Sequence, residues 1–266
     1  PLDPVSREPT QHIAPLTEAI AGDDIAIEEY APHAQGGPIH LVNCCINQSI
    51  DDRTGIYNAD RKGIALTIGP FGPESGAQFA TTGYEVARGK YTDAGTLSRW
   101  IAISGAAAST GMGSRTSPGF AGLLFMSGLR LGYWTKALIA QDKVRNKAGP
   151  ARKRMRDFLL RFSPKPFAIV GESIARFPGL SSPIWYVSDG GHFDNTGIYA
   201  LLKRQPALIV AVDCGADPKY LFADLESVVR KAKIDYGATI EFLDASRLAP
   251  GVDPALIDHL GTPETI

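Results

Sequence analysis

Apolar positions along this chain fall into short runs separated by glycine, proline and charged turns. Pro38-Ile-His-Leu-Val-Asn-Cys-Cys-Ile-Asn47 is nearly continuous in apolar and β-branched residues and is bounded by Gly36-Gly37 and Gln48-Ser49. That pattern predicts a strand buried on both faces, with Cys44 and Cys45 pointing to opposite sides. Ile64-Ala-Leu-Thr-Ile68 repeats it after the charged turn Asn58-Ala-Asp-Arg-Lys-Gly63. Between Thr96 and Ser109, Leu97, Trp100, Ile101, Ser104 and Ala108 recur at helical spacing. The uncharged stretch Thr116 to Leu129 is a second helical segment, and its fourteen residues fall short of the roughly 20 needed to cross a bilayer. It reads as a buried core helix, with an interfacial segment as the alternative.

The carboxyl-terminal half alternates more plainly. Ile184 to Val187 reads as a strand and Asn195 to Arg204 as a helix with Ile198, Leu201 and Leu202 on one face. Ala207 to Val212 is a second strand, Leu225, Val228, Val229 and Ala232 mark another helix, and Thr239 to Leu243 is a third strand. A β-α-β-α-β order predicts right-handed crossovers between parallel strands. The expected fold class is α/β, a mostly parallel sheet flanked by helices, with functional groups at the carboxyl ends of its strands. Residues 1–36 mix prolines with acids and read as a leader or linker, leaving 37–266 as the domain.

Composition narrows the function. The chain has 266 residues, 44% of them hydrophobic, and a net charge of −1, so no overall charge bias points to a nucleic-acid partner. The 28 glycines and 19 prolines follow no repeat, which excludes bundles, coiled coils and collagen-like rods. Three cysteines, two of them adjacent, exclude a disulfide framework and suit a reducing compartment. The opening Pro-Leu-Asp-Pro-Val-Ser-Arg-Glu-Pro-Thr has no initiator methionine, basic region or apolar core, so no secretory signal is read there. The expected place is the cytoplasm, or the cytoplasmic side of a membrane, and the chain reads as a piece of something longer.

Local charge departs from that balance once. Residues 142–165 carry nine basic side chains against two acids, a net of +7. Such a run is either a solvated face or a surface facing anionic lipid through Lys143, Arg145, Lys147, Arg152, Lys153, Arg154 and Arg156.

Candidate chemistry sits at two strand ends. Asp189 opens Asp-Gly-Gly-His-Phe-Asp-Asn195, and Asp213 opens Asp-Cys-Gly-Ala-Asp-Pro218. Gly190 and Gly191 let the backbone turn sharply and approach another segment closely, while Asp194 or Asn195 caps the following helix. Asp213 reads as a turn or cap residue.

The string from Tyr186 to Arg204, with Leu208 to Pro218, resembles the aspartate motif of patatin-like phospholipases. Trp100 to Ser109 with Met112-Gly113, Pro38 to Asn43, and Arg130 to Trp134 resemble segments of the large bacterial branch of that family, which is related to cytosolic phospholipase A2. The resemblance implies a serine–aspartate dyad hydrolase of lipid acyl esters that needs no cofactor. In it a serine of a Gly-x-Ser-x-Gly elbow attacks the ester and the aspartate takes its proton. Carried over, Asp189 is the general base, Gly190 and Gly191 shape its turn, and His192 and Asn195 belong to the motif without an acid–base role.

One departure is decisive for the expectation. No Gly-x-Ser-x-Gly and no Gly-rich oxyanion loop occurs in the sequence. In the family both precede the part that matches Pro38 onward, so the nucleophile is expected on a missing amino-terminal segment and the patatin-like core is expected to be incomplete. Ser104, flanked by small residues in Ala102-Ile-Ser-Gly-Ala106, is the alternative nucleophile, and Ser173 matches an elbow less well. A non-catalytic lipid-binding or assembly module of the same fold is the alternative function. No zinc-ligand spacing or phosphate-binding loop is present, and His12, His33 and His40 are scattered.

Overall fold

The computed structural model describes residues 22–50, 61–75, 94–139, 164–212, 214–219 and 221–242. Among the described residues five strands make one sheet: β1 (Val42–Asn47), β2 (Gly63–Gly69), β3 (Gly72–Ser75), β4 (Tyr133–Lys136) and β5 (Ile184–Asp189), in the order β3-β2-β1-β5-β4. Every pairing is antiparallel. Five α-helices among the described residues accompany it: α1 (Leu97–Ser104), α2 (Pro118–Ser127), α3 (Pro164–Ser173), α4 (Ile198–Leu202) and α5 (Ala223–Tyr236).

The expected mostly parallel sheet is therefore corrected. The α/β expectation required Ala207–Val212 to join β5 after a helical crossover, yet β5 is flanked on both sides by antiparallel neighbours, β1 and β4. Residues 207–212 form no strand, and Leu208, Val210 and Val212 are each about three-quarters exposed. The stretch 238–242 is likewise outside any strand, with Phe242 exposed. A strand–helix–strand pattern in sequence implies a parallel pair only when the second strand reaches the first, and β5 had already been claimed by two nearer hydrogen-bonding partners.

Side-chain alternation assigns the two faces. Residues opposite one another in a ladder share a face. Val42, Cys44 and Ile46 of β1 therefore align with Leu66 and Ile68 of β2 and with Val187 and Trp185 of β5, forming one cluster with Trp100 and Ile103 of α1. Cys45 points the other way, into Phe193 and Tyr199. Burial pushes both thiols up, that of Cys45 to about 12, so neither is a nucleophile at neutral pH.

Several elements match their sequence signals in place but not in extent or exposure. β1 begins at Val42 rather than Pro38, and α1 stops where Gly105 closes it. In α4 the buried side chains are Tyr199 and Ala200, not the expected face of Ile198, Leu201 and Leu202. Ile27, within the stretch read as leader or linker, is buried in the cluster with Trp100 and Ile103 of α1, with Ile27 N–H donating to Gly95 O and Leu97 N–H to Ile25 O. The helix expected to be core, α2, buries only Ala121 and Leu124 and leaves Phe120, Leu123 and Met126 exposed. Among the described residues no helix is long and apolar enough to cross a membrane.

Candidate functional site

β5 delivers Asp189 to the end of the sheet. Its Cα pairs with Cys44, so its carboxylate belongs to the face covered by α1. The chain then enters a 3-10 turn over Gly190–His192, and the Asp189 carboxylate caps it, Oδ1 accepting the Gly191 N–H at 2.8 Å. No described residue donates to Oδ2. Glycine at 190 is a packing requirement, since a Cβ there would stand 2.4 Å from the Asn43 carbonyl oxygen. This close approach presses the Asp-Gly-Gly turn onto β1.

An open cleft of about 480 Å³ lies over this strand end. Asp189, Gly190 and Gly191 line it from the turn, Asp194 to Gly197 from the following loop, His40 to Asn43 from the approach to β1, and Ile101 and Ser104 from α1. Asp189 and Ser104, the two residues with a reactive role in the sequence reading, thus share one cleft. They are not hydrogen-bonded to each other. Ser104 ends α1 instead of standing on a strand-to-helix elbow, and its hydroxyl donates to the Asn43 carbonyl at 2.7 Å. Ser173 does not line this cleft, its hydroxyl donating to Val170 O within α3.

His192 faces a different set of groups. Its Nε2 lies 3.1 Å from the Ala107 carbonyl, which can only accept, so Nε2 carries the proton. Burial holds the ring below the usual histidine range against the opposing charge of Asp189, so the imidazole is neutral and Nδ1 accepts from the Ser188 hydroxyl at 2.9 Å. Ser188 Oγ in turn accepts from Asn47 Nδ2 at 2.9 Å, and Asn47 Oδ1 accepts the Gly113 N–H at 2.9 Å. Gly113 needs its positive φ of 54°, and a Cβ there would meet His192 O at 2.1 Å. The hydrogen-bonded chain Gly113–Asn47–Ser188–His192–Ala107, buried at its Asn47–Ser188 end, ties the loop after α1 to β1 and β5. His192 is a clamp in this geometry.

The caps divide the labour of the loop. Asp194 accepts from Thr196 N–H, Thr196 Oγ1 and the Tyr199 N–H at 3.0, 2.7 and 2.9 Å, securing the start of α4. Asn195 instead reaches α5, donating from Nδ2 to Asp224 Oδ2 at 2.9 Å. Lys231 of α5 donates to the Phe193 carbonyl and lies 4.4 Å over the Phe193 ring, fixing the same loop from the other side.

Two cleft residues carry no chemical signal in the sequence. Asn43 contributes mainly its backbone: its carbonyl holds Ser104 and abuts Gly190, while its side chain accepts from Thr67 Oγ1 at 3.0 Å. His40, read as one of several scattered histidines, lines the cleft and pairs with the Tyr30 hydroxyl at 2.9 Å. The only available signal was the segment Pro38 to Asn43, which belongs to the resemblance.

The basic positions from Lys143 to Arg156, and Asp213, lie outside the described residues. Among the described residues no three His, Cys, Asp or Glu side chains gather as a metal site requires. No protein-family model, no curated protein and no solved structure matches this chain.

Proposed function

We propose that the cleft is the acid–base half of an ester-hydrolase site acting on lipid acyl esters, with Asp189 as the general base. The observation that carries the reading is the placement of Asp189: a carboxylate at a strand end, in an open cleft, with one oxygen held by a single backbone N–H and the other without a described donor. A serine hydroxyl is a weak nucleophile until such a base stands within hydrogen-bond reach. As the serine Oγ adds to the ester carbonyl, Asp189 takes its proton, then returns it to the departing alkoxide. Water deprotonated by the same carboxylate then releases the acid. Leu41, Val42 and Ile101 give the cleft an apolar side suited to an acyl chain.

The nucleophile is proposed to come from polypeptide outside these 266 residues, since no elbow serine occurs within them. Ser104 is the alternative, and its bond to the Asn43 carbonyl weighs against it. The three cysteines are free and two are buried, which supports a cytoplasmic setting. That same lack of an elbow favours a second reading, a lipid-binding or assembly module without catalysis.

A fluorophosphonate probe applied to the protein from its full reading frame separates these. The proposal expects labelling at a serine other than Ser104, lost in Asp189→Asn. Labelling that survives Asp189→Asn refutes the base assignment, and no labelling with no ester turnover leaves the second reading.

A further inference from the structure

Helix α2 is apolar nearly all round, Pro-Gly-Phe-Ala-Gly-Leu-Leu-Phe-Met-Ser, a composition that ordinarily marks a helix enclosed on every side. It is not enclosed. Ala121 and Leu124 face inward, while Phe120, Leu123 and Met126 point out along one stripe, Met126 with 83% of its surface free. Leu129 and Leu131 extend the stripe past the Gly128 cap, each more than half exposed. α2 packs on α3, where a Cβ at Gly122 would stand 3.5 Å from the Ser173 carbonyl oxygen, and α3 leaves Ile169, Val170 and, just beyond its end, Ile174 exposed.

The described segments that contain this surface are rich in cations and poor in acids. The described residues 94–139 and 164–188 contain six basic side chains, Arg99, Arg115, Arg130, Lys136, Lys165 and Arg176. They contain one acid, Glu172, which is 3% exposed. Glu172 is turned inward, accepting from Trp134 Nε1 at 2.8 Å and pairing with Arg130 at 3.5 Å. Arg115 precedes α2 and Arg130 follows it, so a cation stands at each end of the helix in sequence, and these described segments hold no exposed acid.

We infer that the α2–α3 surface docks onto an anionic lipid bilayer, with α2 lying in the plane of the interface. A ten-residue helix is about 15 Å long, half the thickness of a hydrocarbon core, so it can lie in the interface but not span it. Phe120, Leu123, Met126, Leu129 and Leu131 enter the acyl boundary, and the arginines meet the head-group phosphates. This proposal makes no use of Asp189.

The test uses vesicles of phosphatidylcholine with about one-third phosphatidylglycerol, against phosphatidylcholine alone. An environment-sensitive fluorophore at Met126→Cys in a Cys214→Ser background should shift to the blue and brighten severalfold with the anionic vesicles. That response should weaken on raising salt to about 0.5 M, where exposed charges are screened. The double variant Leu123→Asp/Met126→Asp should float with vesicles at least tenfold less than the parent at an unchanged melting temperature, and Asp189→Asn should float like the parent, so a failed hydrolase reading leaves this result intact. Undiminished flotation of the double variant, or vesicle-bound protein whose label at position 126 stays in water, overturns the proposal. Self-association of the parent that the double variant abolishes, without loss of lipid binding, also overturns it and assigns the ridge to a second copy of the chain.

Discussion

Two segments of this chain look alike as sequence and differ as structure. Ile184–Asp189 and Ala207–Asp213 are both apolar, β-branched runs ending in an aspartate. The first is an interior strand of the sheet, with Trp185, Tyr186, Val187 and Ser188 all nearly inaccessible. In the second, Leu208, Val210 and Val212 stand in solvent, and no strand forms. The difference lies in what surrounds each segment. β5 meets β1 through three register pairs and β4 through four, and its far side packs Tyr186 on Phe177 with ring centroids 4.6 Å apart. An apolar run becomes a strand only where hydrogen-bonding partners and a packing face both reach it.

The comparison breaks most readily at the turn that closes β5. Gly190→Ala should cost about 3 kcal/mol, because the new methyl meets the Asn43 carbonyl, a backbone atom with no rotamer to yield. Chemical denaturation of the two proteins measures it, and a change below about 1 kcal/mol would mean the turn is looser than its geometry.

A matched pair sharpens the contrast directly. Val187→Ala removes two methyl groups from a wholly buried site and should cost about 2 kcal/mol. Val210→Ala does the same at a residue 78% exposed and should stay within about 0.5 kcal/mol. Equal losses from the two would show that the 207–212 segment is buried in solution.

A smaller effect follows from His192, which joins β5 to the loop after α1. Its pKa is lowered in the folded protein by burial, so the unfolded chain binds the proton more readily. Stability is therefore complete above the unfolded value near 6.5 and declines as pH falls from there toward the lower folded value. Melting temperature should drop between about pH 7.5 and pH 5.5, and His192→Gln should flatten the part of that slope that His192 contributes. An identical slope in the variant would remove the clamp from the account.

How far the sequence reached follows the same division. Runs bounded by glycine, proline and charge located β1, β2, α1, α5 and β5 to within a few residues, because those boundaries are local chemistry. Pairing direction was not legible, since it depends on which distant segment reaches β5 first, and 207–212 carries the same apolar signal as strands that do pair. The exposure of α2 was hidden for a related reason: apolar composition states a preference for a nonaqueous neighbour without saying which neighbour is present. At the cleft, Asp189 and Ser104 were visible as side chains, whereas Asn43 acts through a carbonyl oxygen that any residue type would supply.

The most direct test of the central claim is ester turnover by the protein from its full reading frame, wild type against Asp189→Asn, with melting curves in parallel. The account predicts a fall in kcat of about 10²- to 10⁴-fold, the usual weight of a positioned general base, at a nearly unchanged melting temperature. Turnover retained within a factor of about two in a folded Asp189→Asn protein would contradict it.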